Sequence, residues 1–382
     1  MKDVAELDGV RAAWDDLAVA SGKPLSAPSW LIPWWHEMAP ECAKPRVILV
    51  FEGADLVGVA PFYALRRGPM TSYRLFGTGM ATRNAPLAAP GRERDVAVVI
   101  ARTLARGRPR PGAVCFDEID HDSEWPVLIA KAWPRRADIA SRMNAPAPTL
   151  VVDGVEYDSW LAGKRRNFRK RVWRNARKLE EHGVRTRLVD DVSELDRLME
   201  AFEELHGDRW GEASELNTES GRNLMLHAAR DLMPSGRFRA VVLEHGDRVV
   251  SVDFLLAAGG EVVFWNGAWD AVWGDMSPSM HGMVFAIEDA MNRGDRRMDF
   301  GRGSHPYKLR LADGDAPISW PVLYPRTLNS VPARAVDVAM QGRKLAGSAV
   351  RRLPDRVRKP LERLRGRPSG GAFPEREAAA RS

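Results

Sequence analysis

The segment Arg297-Met-Asp-Phe-Gly-Arg-Gly-Ser-His-Pro-Tyr-Lys308 places a phenol beside an ammonium, after a turn that holds two glycines. Tyr307 can donate a proton to a departing anion. Lys308 can bind a phosphate or an acidic group, and Arg302 offers a second cation in the same turn. A second reactive pattern lies upstream. Asp275-Met-Ser-Pro-Ser-Met-His-Gly-Met283 is rich in small and capping residues and leads into a helical pattern. Free N–H groups at a helix start, with the helix dipole, hold an anion. Ser279, Met280, His281, Gly282 and Met283 are therefore candidates for a phosphate cradle, with Gly282 allowing close approach. A plain connection capped by Ser277 or Ser279 has the same appearance. His206 follows an apolar helix face and precedes Asp208-Arg209-Trp210. An imidazole takes up a proton near neutral pH, so His206 is a candidate base and Trp210 a candidate substrate contact; a helix-end histidine bonded to backbone is the plainer reading. Asp253 interrupts the apolar run Val249–Leu256, where alternation leaves it on an exposed face or in a cleft. Asn266 closes the next strand-like run and can bond an amide.

These residues need a scaffold, and the sequence predicts two copies of one. Val47–Phe62 and Ala240–Leu255 align without a gap: Gly53 falls on Gly246, Leu56 on Val249 and Val59 on Val252. Each reads as two strands joined by a glycine turn. After the first hairpin come a strand (Tyr73–Phe76), a helix (Arg92–Arg106) and a strand (Ala113–Ile119). After the second come Glu261–Gly267, Ser279–Arg293 and Arg297–Gly301 in the same order. Between them the spacing predicts helices over Trp160–His182, Val192–Arg209 and Asn217–Leu232, the last capped by Asn217 or Thr218. The expected organisation is an α/β fold of two tandem modules with mixed sheets and flanking helices. Residues 1–155 form the first module, 156–330 the second, and 331–382 a basic helical tail with a disordered end. The first module looks non-catalytic, because Ala60 and Pro61 stand where the second has Asp253 and Phe254.

The pattern Asp299-Phe300, Gly303 and then Tyr307-Lys308 resembles the GNAT-like acetyltransferases of the cellulose-biosynthesis-associated type, relatives of the Fem-type aminoacyltransferases. Arg165-Arg166-Asn167-Phe168-Arg169, Leu205-His206…Arg209-Trp210 and Ser277-Pro278 fit the same resemblance, which spans roughly Trp30 to Trp320. It departs at Ser304-His305, where acidic residues are common in the family. The resemblance implies two GNAT-like (acyl-CoA N-acyltransferase) modules, acetyl-CoA or another acyl-CoA as co-substrate, and direct acyl transfer to the amine of a small molecule, sugar or peptide. Such transfer needs a deprotonated amine, a polarised carbonyl and a proton donor; His206, Asp253 and Tyr307 are the expected catalytic side chains. The Fem-type alternative takes its acyl group from aminoacyl-tRNA, although Trp160–His182 is too short for the coiled-coil insertion common there. A third possibility is a silent binding protein on the same fold.

Charge is distributed unevenly. Residues 331–382 hold 13 Lys/Arg against 5 Asp/Glu, while the whole chain is at +6, so the remainder is slightly acidic. That argues against a dedicated nucleic-acid-binding domain. Lys164–Lys178 carries nine cations, Arg166 and Arg169 among them, and no acid. The run is a solvated face, a site for an anionic substrate or tRNA, or a membrane-surface patch; the tail offers a second contact for an anionic membrane. Cys42 and Cys115 have no metal or redox spacing, so no metal is expected. No apolar run reaches membrane-spanning length, and the N-terminus lacks a signal pattern. The expected location is cytoplasmic, with peripheral membrane contact as an option.

Overall fold

The computed structural model describes residues 4–210 and 214–339. In the first half, α1 (Arg11–Ala20) and α2 (Pro28–Met38) precede β1 (Lys44–Glu52), β2 (Asp55–Arg67), β3 (Met70–Leu75) and β4 (Leu87–Ala88). Next come α3 (Glu93–Arg106), β5 (Ala113–Cys115), β6 (Ile119–Asp120), α4 (Trp125–Ala132) and β7 (Ala137–Ala145). The second half opens with β8 (Pro148–Val151), α5 (Tyr157–Gly163), α6 (Arg166–Glu181), β9 (Val184–Val189), α7 (Leu195–Trp210) and α8 (Glu219–Leu232). It continues through β10 (Phe238–His245), β11 (Arg248–Ala258), β12 (Glu261–Trp269), α9 (Pro278–Asn292) and β13 (Arg297–Asp299), and closes with α10 (Pro306–Leu311), β14 (Gly314–Asp315) and β15 (Ile318–Pro325).

The aligned hairpins fold alike in detail. Gly53 and Gly246 take φ of +62° and +60°, the left-handed turn conformation that favours glycine. The β1–β2 ladder shifts register between Val50 and Phe51, and the β10–β11 ladder between Leu243 and Glu244, the same aligned position. In each half a third strand pairs antiparallel with the hairpin, and a fourth runs parallel to the third after a crossover helix, α3 or α9. A parallel pair requires such a crossover.

A boundary at 155 does not separate the sheets. β8 precedes it yet pairs with β13 and β14, and β15 lies beyond it yet pairs with β5, β6 and β7. The fourth strand of each half has an outer edge that needs a partner, and the chain supplies each one from across the boundary. Both sheets belong to one compact unit that ends at Ala333.

The layers follow from the apolar faces. α3 and α4 cover one face of the first sheet. α1, α2, α7 and α8 fill the space between the two sheets, joining Val59 and Tyr63 of the first to Val252 and Phe254 of the second in one core. α5, α6 and α9 cover the far face of the second sheet. The helix expected over Trp160–His182 is two helices. Lys164 and Arg165 adopt extended backbone, ψ 158° and 140°, and Lys164 donates its ammonium to the Leu311 carbonyl at 2.7 Å. Thr218 caps α8, its hydroxyl accepting from the Gly221 N–H at 3.1 Å. Of the basic tail, residues 331–339 are described and helical; the rest lies outside the described residues.

Candidate active site

β13 pairs with β12 only through Glu261–Val263, although β12 runs on to Trp269. Past that point the strands part. β12 also carries an extra residue there: Phe264 faces Leu255 and Asn266 faces Phe254, so Trp265 is bulged out of register. A bulge bends the strand and re-aims its groups. The Trp265 indole meets Trp30 edge-on, centroids 4.9 Å apart, and donates to the Met80 carbonyl at 3.1 Å, so the first half of the chain holds the bend in place.

α9 begins level with this parted end. Ser277, just before Pro278, sits in the left-handed region at φ +52° and its side chain makes no capping bond. His281 donates its backbone N–H to the Ser277 carbonyl at 3.1 Å, which leaves the N–H groups of Ser279 and Met280 as orphan donors of the first turn. α6 lies against this start, and Arg171, Asn175, Ser277, Met280 and His281 line a small recess there. Desolvation, then Arg310 and Arg174, hold the Arg171 guanidinium below its ordinary range. Cations that crowd one another in this way gain from a shared anion. Asn175 is buried and its Oδ1 has no partner among the described residues. His281 Nε2 bonds the Thr186 hydroxyl at 3.0 Å, and burial pushes its pKa down, which keeps the ring neutral.

Under the same turn lies Asp253. It is fully buried, and neither oxygen has a hydrogen-bond partner among the described residues. A Cβ placed on Gly267 of β12 would lie 2.1 Å from its Oδ1, and one on Gly282 of α9 would lie 2.2 Å from its Oδ2. Desolvation raises its pKa well above the usual carboxylate range, so the group is a neutral acid wedged between strand and helix. The exposed-face reading of Asp253 is thereby corrected. So is the role of Gly282, whose missing side chain makes room for a carboxyl group and not for a phosphate.

Residues 166–309 match the family model described as an acetyltransferase (GNAT) domain. No curated protein sequence matches the chain. Among solved structures the chain is similar to FemX, at 13% identity and TM-score 0.61, covering 86% of this chain and 98% of that one. It is also similar to the C-terminal domain of a protein named as a lysylphosphatidylglycerol synthetase from Agrobacterium fabrum, at 11% identity and TM-score 0.54, covering 87% and 94%. A conserved protein of unknown function from Bacteroides thetaiotaomicron follows at 11% identity and TM-score 0.50, covering 85% and 97%. At these identities the likeness establishes the fold.

Within the matched segment the expected site residues divide by face. Met280 and His281 line the α9 recess and Ser279 does not, whereas Met283 is buried in the core. His206 is on the other face of the sheet: its ring stacks on Phe202, which packs against Phe254, the alternating neighbour of Asp253. Its Nε2 bonds the Ser214 hydroxyl at 3.0 Å. His206 and Asp253 are therefore not in one constellation. The Trp210 side chain lies outside the described residues. Asn266 turns its Oδ1 back to accept from the Gly267 N–H at 2.8 Å. Tyr307 stacks on His305, centroids 6.0 Å apart, in the short helix that follows β13. Lys308 turns inward and donates to the carbonyls of Arg302, 2.8 Å away, and Gly301, 3.3 Å away; burial lowers its pKa to about 8. It braces the 301–303 turn and presents no charge to solvent. Arg166 is exposed at the start of α6, while Arg169 donates to the Ala162 carbonyl and so caps α5.

Arg302 points across to the first half, where it donates to Glu118 at 2.8 Å and covers Trp320. Beside it Arg83 is buried and joins both halves. It donates to Asp299 at 2.5 Å, to the Ala316 carbonyl at 2.7 Å and to Asp120. Arg83 and Glu118 have φ of +54° and +55° and are linked through their backbones. Non-glycine residues held there cost about 1–3 kcal/mol each. Sequence reasoning did not single out Arg83, Glu118, Asn175 or Thr186; Arg171 was visible only as one member of the basic run.

Proposed function

We propose that this chain is an acyl-CoA-dependent N-acyltransferase, of the cellulose-biosynthesis-associated type, that passes an acetyl or other acyl group directly to an amine in the cytoplasm. The observation that carries the reading is the start of α9. Arg171 and Met280 line one recess at that helix start, whose first-turn N–H groups lack intrahelical partners, and β12 has lost its β13 partner beyond Val263. When bound, acyl-CoA supplies an acyl group activated as a thioester, on a carrier that bears phosphates. The N–H groups of Ser279 and Met280, with Arg171, hold an anion at the helix start. The free edge of β12 beyond Val263 offers backbone groups to an extended ligand, as a missing strand would. Tyr307 holds a proton for a departing thiolate. On the opposite face His206, bonded to Ser214, is the imidazole able to take the proton of an acceptor amine. The acceptor itself is a small molecule, sugar or peptide.

Calorimetric titration of the full chain with acetyl-CoA and with CoA tests this. Saturable binding is expected in the micromolar to millimolar range. Arg171→Ala is expected to weaken it about tenfold or more, as loss of a charged hydrogen bond does. Tyr307→Phe is expected to lower turnover on the order of a hundredfold while leaving affinity unchanged. Absence of binding to both compounds would move the donor to an aminoacyl-tRNA.

A further inference from the structure

The outward face of α6 is not used by the site just described. Phe168, Val172, Asn175 and Leu179 form its buried stripe, and helical spacing puts Arg166, Lys170, Trp173, Arg174 and Arg177 on the side directed away from the body. Trp173 is 60% exposed in the middle of these cations. Only Arg177 of the four cations has a carboxylate partner among the described residues, Glu181 at 2.7 Å.

We propose that this face docks the protein onto an anionic membrane surface. Like charges along a helix repel one another, so a cationic face with one carboxylate partner among the described residues is relieved by an external anionic one. A sheet of anionic headgroups matches it over its whole length and adds attraction for each cation that comes near. Trp173 suits a lipid surface. Phosphates alone are served by the cations, whereas an exposed indole among Lys and Arg has the amphipathic character that settles at the headgroup boundary, with the helix lying flat. The face lies on the reverse of the helix whose inner side borders the α9 recess, so docking leaves that inner side packed as it is.

Co-sedimentation of the full chain with vesicles of phosphatidylcholine, with and without phosphatidylglycerol, tests the proposal. Binding is expected only to the anionic vesicles and is expected to fall as salt rises. The triple variant Lys170→Gln, Arg174→Gln, Arg177→Gln changes exposed residues only and is expected to lower partition on the order of a hundredfold. Trp173→Ala is expected to lower it about severalfold while salt sensitivity persists. Wild-type chain that ignores anionic vesicles, or a triple variant that binds them as wild type does, overturns the proposal. Transfer RNA that is bound with the same sensitivity to the triple variant, together with no effect of Trp173→Ala on vesicle binding, overturns it in favour of RNA.

Discussion

A carboxyl group enclosed on all sides, as at Asp253, makes stability depend on pH in a definite direction. Its folded pKa is raised by desolvation, so the native state keeps a proton that the unfolded chain gives up above about pH 4. Stability from this group is full below the unfolded value. It is lost as the pH climbs from about 4 through the raised native value. Asp253→Asn keeps the shape without the ionisation. Thermal unfolding followed across this range is expected to show a flatter pH profile and a more stable variant at neutral pH; parallel profiles would contradict it. From sequence, period-two alternation set Asp253 apart from Val252 and Phe254, and that much is right. Alternation does not say that the other face is also covered, and here α9 covers it. Lys308 shows the same limit. A Lys after a glycine-rich turn reads as a surface cation, but the carbonyls of Gly301 and Arg302 draw it inward.

At the scale of elements, the closeness of α9 to β12 depends on two glycines meeting one carboxylate. Gly282→Ala would place a methyl 2.2 Å from Asp253 Oδ2, and the helix would have to move. Overpacking of this kind costs about 1–3 kcal/mol. Asp253→Ala in the same chain is expected to recover most of that loss, so a double-mutant cycle by denaturant unfolding should show strong coupling; additive effects would mean that the contact is unimportant. The elements themselves were largely legible. The hairpins, α3, α7, α8 and α9 lie where periodicity, glycine turns and caps put them, because those signals are local. The break between α5 and α6 was missed although Gly163 closes α5; Lys164, next in the chain, is held in extended backbone by a bond to a residue far along the sequence.

The molecule as a whole is tied together by exchanged strands and by a buried charge cluster. Because β8 and β15 each complete the other half's sheet, the two sheets are expected to unfold in one transition. Far-ultraviolet dichroism and tryptophan fluorescence should trace the same denaturation curve. Arg83 joins Asp299 of one half to Asp120 of the other. Arg83→Met leaves both carboxylates without their buried partner and is expected to cost about 3–5 kcal/mol, read from the shift of that curve. Separate transitions for the two sheets would contradict the first expectation, and a near-neutral Arg83→Met the second.

Sequence alone determined the repeated hairpin–strand–helix–strand order, the glycine turns and the helix start at Pro278. All of these are written in residues close together in the chain. Tertiary structure decided which groups share a site: Asp253 beneath α9, Arg171 beside its first turn, His206 on the far face, and Arg83 between the halves. Those placements depend on which sheet face each helix covers and on where β12 and β13 part. Contacts between residues far beyond one helical turn or hairpin in the chain, up to 216 positions apart for Arg83 and Asp299, settle them, and no local pattern encodes such contacts.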